Sequence, residues 1–273
     1  MKAEKWPTGS SLSFDMPRME ARQILSEENL RDWRDSGVTH LELSVDQAAL
    51  METDFADRPE RYGDTCRNLG LVPWSLHLPF PAGVDISLPG EAGRSSVLLD
   101  KEMIRRAARA GIGLCVVHPS SEPISDEERS ARMATSKTAL RELTEYSGEL
   151  GLRLAVEDLP RFCLGRDSGE MLELLDASPE LMVCFDTNHM LLEDNETVIR
   201  RIGRRIITLH VSDYDFTDER HALPGKGKND WKRILTALED AGYEGPFLYE
   251  VGGRDETVTH SDFRRNHMAL CAL

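Results

Sequence analysis

Leu154-Ala155-Val156-Glu157-Asp158 is a short apolar run that ends abruptly on acids. The chain repeats this pattern three more times, in Val183–His189 (VCFDTNH), Thr208–Asp213 (TLHVSD) and Phe247–Val251 (FLYEV). Each run reads as a short buried strand, and a polar residue that closes such a strand cannot stay in a core without a partner. Glu157, Asp186, His210 and Glu250 stand at the ends of the four runs, and all four are metal-competent. In a closed parallel barrel with these strands as neighbours, the ends converge and make a divalent-metal site.

The rest of the chain is consistent with such a barrel. Its 273 residues are close to the roughly 250 of one (β/α)8 barrel, so the expectation is a single α/β domain over residues 1–273. Strand-like segments fall at Ser10–Phe14, Thr39–Leu43, Val72–Leu76, Leu114–Val117, Arg153–Val156, Met182–Phe185, Ile206–Val211 and Pro246–Tyr249. Amphipathic helical patterns lie between them, as in Trp231, Ile234, Leu235 and Leu238 after Asp230. Ser26, Ser125–Asp126 and Asn229–Asp230 signal helix starts, and Gly37, Gly70, Gly111, Gly151 and Gly242 signal stops. Alternating β and α units imply a parallel sheet, and eight strands favour closure. No glycine-rich nucleotide fingerprint follows any strand.

Composition narrows the partners. Hydrophobic content of 40% with 30% charged residues suits a globular domain, and the net charge is −15 with no basic block. Nucleic-acid affinity draws mainly on Lys and Arg, so DNA or RNA is disfavoured. No run approaches the ~18 apolar residues of a membrane span. The start, Met1 to Pro7, lacks an apolar signal core. Five cysteines, odd in number and without C-x-x-C pairing, fit a reducing cytoplasm. A homodimer is the base-rate expectation for assembly.

In such barrels the functional residues occupy the C-terminal strand ends and the loops after them. His77, His118, His189, His210 and His221, five of the eight histidines, fall there, and Glu42 faces the same mouth. Carboxylates with one imidazole suit Mn2+, Mg2+, Co2+ or Zn2+, and the absence of thiolate argues against a closed structural zinc. In the loop Glu219–Trp231 the glycines permit tight turns, and the loop reads either as a solvated lead into a capped helix or as a substrate or phosphate clamp, with Lys226 and Lys228 beside the mouth and His221 pointing inward.

Together, Val116–Ser120 (VVHPS), Ala155–Pro160 (AVEDLP), Phe185–His189 (FDTNH), Leu209–Asp213 (LHVSD), His221–Trp231 and Tyr249–Val251 (YEV) resemble the xylose isomerase-like superfamily. It includes sugar phosphate isomerase/epimerase proteins and endonuclease IV. The resemblance runs in order over roughly residues 70–255. It implies one divalent metal held by Glu157, Asp186, His210 and Glu250. In ketose 3-epimerases of this superfamily, two glutamates flank the substrate, and these would be Glu157 and Glu250 here. One removes a proton beside a carbonyl, giving a metal-stabilised enediolate, and the other returns it on the opposite face. By the same likeness His189 would contact the substrate, and His77, His118, His221 and Lys226 at the expected mouth are further candidates for substrate contact. Those epimerases carry an arginine six positions after the histidine corresponding to His210, where this chain has Phe216.

Endonuclease IV offers a second likeness. Its three-zinc set resembles His77, His118, Glu157, Asp186, His189, His210, Glu219, His221 and Glu250, with Glu219 in place of an aspartate. Two or three Zn2+ would suit phosphodiester hydrolysis. Against it, Pro79–Gly93 holds Asp85 and Glu91 without a cation, and Ser44–Tyr62 holds five acids against two arginines. The sequence therefore points first to a metal-dependent isomerase or epimerase of a sugar or sugar phosphate. A keto-sugar or keto-inositol dehydratase or lyase, a multi-zinc phosphodiesterase and a non-catalytic sugar-binding barrel follow.

Overall fold

Eight parallel strands alternate with helices in a computed structural model that describes residues 6–80, 83–121 and 123–273. Most of the N-terminal segment read above for an export signal, residues 1–5, lies outside the described residues. The strands are β1 (Thr8–Ser11), β2 (His40–Leu43), β3 (Val72–His77), β4 (Leu114–Val117), β5 (Arg153–Glu157), β6 (Met182–Asp186), β7 (Ile206–His210) and β8 (Phe247–Tyr249). They pair in the order β7-β6-β5-β4-β3-β2-β1-β8. A parallel bridge between Val211 and Tyr249 joins the two ends. There Val211 N–H donates to the Leu248 carbonyl at 2.8 Å, and Glu250 N–H donates to the Val211 carbonyl at 3.0 Å. The fold is a single (β/α)8 barrel.

The helices are α1 (Ala21–Ile24), α2 (Glu27–Asp35), α3 (Gln47–Leu50), α4 (Glu60–Asn68), α5 (Gly90–Ala110), α6 (Asp126–Glu149), α7 (Ser168–Leu175), α8 (Asn195–Ile202), α9 (Trp231–Ala241) and α10 (His260–Leu270). Side-chain oxygens of Ser26, Ser125 and Asp230 accept from the backbone N–H groups of Asn29, Glu128 and Arg233, as helix N-caps do. None of the described helices is long and apolar enough to cross a membrane.

Seven strands match their expected bounds to within one residue. The first does not. Leu12–Asp15 leaves the strand as a 3-10 turn capped by the Ser11 hydroxyl, which accepts from Ser13 N–H at 3.3 Å. The turn drives Asp15 into the core, where its carboxylate accepts from Asn29 Nδ2 at 2.9 Å and Trp33 Nε1 at 2.8 Å. His260 Nε2 lies 2.9 Å from its other oxygen.

Strand alternation sorts the side chains. Leu154, Val156, Val183 and Phe185 join the large apolar layer between sheet and helices. Leu114, Val116, Ala155 and Cys184 form a separate small cluster, with Trp74, Met182 and Ile207 packed on it. Ala155 shares a strand face with Glu157, and Cys184 shares one with Asp186. The small cluster therefore fills the barrel beneath the polar strand ends. A dry floor under a ring of ionisable groups raises the strength of every electrostatic interaction in the ring.

Candidate metal centre

The four strand-end residues meet. Glu157, Asp186, His210 and Glu250 each offer one ligand atom, and these atoms lie within 4.8 Å of one another. His77 with Glu157 and His210, and His189 with Glu219 and His221, form two further groups of the same tightness. Glu157 and Asp186 are 1% and 0% exposed, whereas the Glu250 side chain retains 16%.

Outer partners fix the orientation of four histidine rings. A backbone carbonyl only accepts, so the ring nitrogen beside it must carry the proton. His77 Nδ1–H thus donates to the Leu78 carbonyl (2.9 Å), His189 Nδ1–H to that of Asp158 (2.7 Å) and His221 Nδ1–H to that of Glu250 (3.1 Å). His210 presents Nε2 to Glu42 Oε1 at 2.9 Å and Nδ1 to Glu157 Oε1 at 2.8 Å. His77 Nε2 and His118 Nε2 lie 3.1 and 3.2 Å from Glu157 Oε2. His189 Nε2 lies 3.0 Å from Glu219 Oε1 and 3.5 Å from Asp186 Oδ2. An inward imidazole nitrogen beside a carboxylate oxygen needs a proton or a metal ion between them. Histidines held by one nitrogen with the other turned to a common centre have the disposition of metal ligands.

Asp186 supplies the test of fit. Its Oδ1 accepts from Asn188 N–H at 2.6 Å, but its Oδ2 is buried with no hydrogen-bond partner. Burial, aided by Glu250 and Glu157, pushes this carboxyl well above the usual range. For Glu157 burial acts in the same direction, but His210, His118 and His77 outweigh it and hold the group well below. Burial disfavours the charged form of His210, but Cys184, Glu157, Glu250 and Glu42 around it raise it well above its ordinary value. An oxygen-rich donor set with an orphaned oxygen accommodates a hard or borderline divalent cation.

The β7 loop is tied down by Asp213, which is fully buried. Asp213 Oδ1 accepts from Tyr214 and Asn229 N–H, and Oδ2 from Gly225 N–H and Trp231 Nε1–H. A Cβ at Gly227 would stand 2.3 Å from Asp213 Oδ1, so the glycine is required by close approach. Asn188 Oδ1 accepts from the backbone of Arg220 and His221. His221 itself has φ +44°, a left-handed conformation at the mouth.

Several expectations change. Lys226 lines a cavity of about 590 Å3 beside Glu250 and His221, but its Nζ is 2.9 Å from Asp255 Oδ2. Lys228 is exposed and lines none of the cavities described. Asp85 does not project toward the mouth: it is buried and paired with Arg132, while Ser87 and Ser121 N–H donate to it. Its charge is answered inside the protein and does not count against a phosphate backbone. Arg161 went unnoticed in the sequence. At φ +52° its Nη1 contacts Asp218 Oδ1 (2.6 Å) and Glu219 Oε2. With His189 it draws Glu219 down to about 2 against the effect of burial. Phe80 was missed too; its ring packs 4.7 and 4.8 Å from those of His77 and His118. Phe216 sits at φ +64° on the ring of Tyr214.

A (β/α)8 barrel with a carboxylate–imidazole centre at its C-terminal mouth defines a broad class of proteins. This chain belongs to the xylose isomerase-like TIM barrel family, whose model matches residues 30–267. It is 23% identical over 204 residues to an uncharacterized protein of Methanocaldococcus jannaschii, covering 71% of this chain and 70% of that one. It is 30% identical over 119 residues to fructoselysine 3-epimerase of Escherichia coli O157:H7, covering 41% and 43%. The crystal structure of a D-tagatose 3-epimerase-like protein superposes with a TM-score of 0.80 at 19% identity, covering 97% of this chain and 98% of that one. That likeness is one of fold.

Proposed function

We propose that the protein is a divalent-metal-dependent isomerase or epimerase of a sugar or sugar derivative. The carrying observation is the set of inward imidazole nitrogens around three buried or half-buried carboxylates, with Asp186 Oδ2 unpartnered. The sugar assignment is supported by the relatives that are named epimerases.

Glu157, Asp186, His210 and Glu250 would hold the cation, which would polarise a substrate carbonyl and its neighbouring hydroxyl and acidify the carbon between them. The remaining work falls to the chain. Glu250 lines the 590 Å3 cavity and is the glutamate placed to take the proton. Glu157 comes from β5, three strands from β8 around the barrel, and so reaches the substrate from a different side. Both its oxygens are engaged by imidazoles, Oε1 by His210 and Oε2 by His77 and His118, so a proton it returns would pass between it and these rings. The apolar barrel floor lies beneath the centre, and the Phe80 ring packs on His77 and His118 beside it. Proton transfer of this kind contributes about 10²–10⁴-fold.

The test is solvent-deuterium uptake into a panel of ketoses, with Glu250→Gln beside the wild type. Uptake is predicted with turnover, falling at least about 100-fold in the variant. A product that gains ultraviolet absorbance would select the dehydratase variant.

A second reading has its own observation. Glu157 turns Oε1 to His210 and Oε2 to His77 and His118, as a carboxylate bridging two metals would, and His189, Glu219 and His221 form a third group. Multi-zinc phosphodiester hydrolysis would use all three. Nicking of an abasic duplex, abolished in Glu157→Gln, would establish it.

A further inference from the structure

The cavity of about 590 Å3 that opens on Glu250 differs in charge from the rest of the molecule. Arg220, His221, Lys226 and Arg254 line it against Glu250 and Asp255, although acids outnumber Lys and Arg by 48 to 33 in the whole chain. By contrast, the cavity of about 700 Å3 beside α4 sets three arginines against Glu27, Glu52, Asp54 and Asp57.

Within the basic cavity the cations are not equivalent. Lys226 meets Asp255 at 2.9 Å and Arg220 meets Asp215 at 3.0 Å. Arg254 has no hydrogen bond or ion pair among the described residues. Its backbone, in contrast, is strapped on both sides. Arg18 Nε–H donates to the Gly253 carbonyl at 2.7 Å, and its Nη2 donates to those of Asp255 (2.9 Å) and Val258 (3.1 Å). A Cβ at Gly253 would stand 1.8 Å from the Phe14 carbonyl oxygen, so the strand-end turn and this loop are in direct backbone contact. The arrangement is a strapped loop that sets the exposed, unpartnered Arg254 in the lining of a cavity that the proposed proton-transfer glutamate also lines. Holding the loop in advance lowers the ordering cost of a ligand that binds there. A guanidinium, with its planar fork of donors, suits phosphate.

We infer that Arg254 seats a terminal phosphate group of the substrate in this cavity, which Lys226 also lines. The inference rests on the reading of the centre as sugar-transforming and narrows its substrates to phosphate monoesters. A dianion suits a lining in which one cation is unpaired and a second shares only an exposed carboxylate.

The test uses metal-loaded protein and solvent-deuterium exchange on matched pairs of neutral ketoses and their terminal phosphate monoesters. Wild type is compared with Arg254→Gln and with Arg31→Gln, an equal charge loss at an exposed site on α2. The expected result is a higher kcat/KM for the ester than for the neutral ketose. The ratio should fall about tenfold in Arg254→Gln, the loss of one charge-assisted hydrogen bond, and should hold in Arg31→Gln. A wild-type ratio at or below one, an unchanged ratio in Arg254→Gln, or an equal fall in both variants overturns the inference. If neither member of any pair exchanges, the sugar reading itself fails. Phosphorus NMR titration of the same proteins with inorganic phosphate then decides the subsite. Affinity about tenfold weaker in Arg254→Gln sustains it, and equal affinity overturns it.

Discussion

His210 is gripped by carboxylates at both ring nitrogens, and the outer one belongs to Glu42, 168 positions earlier in the chain. Glu42 is fully buried and also accepts from Ser75 Oγ at 2.8 Å, so its orientation is fixed before any ligand arrives. A carboxylate behind a ligating histidine raises the basicity of the inward nitrogen. Glu42→Gln preserves shape and removes that charge, and should weaken metal affinity about 10–100-fold, read by competition with a chelating dye. Affinity equal to wild type would remove Glu42 from the site. At this scale the four strand-end residues proposed to hold the metal were legible because each interrupts an apolar run near its end. The partners that orient the rings were not, since Leu78, Asp158 and Glu250 act through backbone carbonyls. Arg161 left no signal either: its contact with Glu219 joins two loops 58 positions apart.

Strands and helices alternate with clear periodicity, and most element boundaries follow from caps and apolar runs alone. The stretch Ser10–Phe14 misled because Leu12 and Phe14 alternate as strand residues do, while the pull on Asp15 comes from α2 and α10. That three-way junction has a pH signature. Burial opposes ionisation of Asp15, but hydrogen bonds from His260, Asn29 and Trp33 outweigh it and lower the carboxyl below its ordinary 3.8. The folded-state value lies below the unfolded one, so this stabilisation is complete above about pH 4 and is lost as pH falls through the lowered value. Asp15→Asn should be less stable than wild type at pH 7, with the difference narrowing toward pH 3 in urea midpoints. A difference that stays constant over this range would contradict the account.

For the whole molecule, one barrel end concentrates Glu42, Glu157, Asp186 and Glu250 above an apolar floor, in a chain already at net charge −15. Such a ring is stable when its charges are answered by protons or a cation, so binding of the proposed metal would be linked to folding. The opposite half of the charge pattern, the basic cavity around Arg254, was invisible in composition because it is assembled from three separate segments of an acidic protein. The proposed centre holds one divalent metal on Glu157, Asp186, His210 and Glu250. It is tested most directly by elemental mass spectrometry of protein purified without chelator, with Glu250→Gln alongside. About one metal per chain, lost in the variant, is the expected result. No bound metal, or two or three zinc ions per chain, would contradict it, and the zinc result would make His77, His118, His189, Glu219 and His221 ligands in a hydrolytic centre.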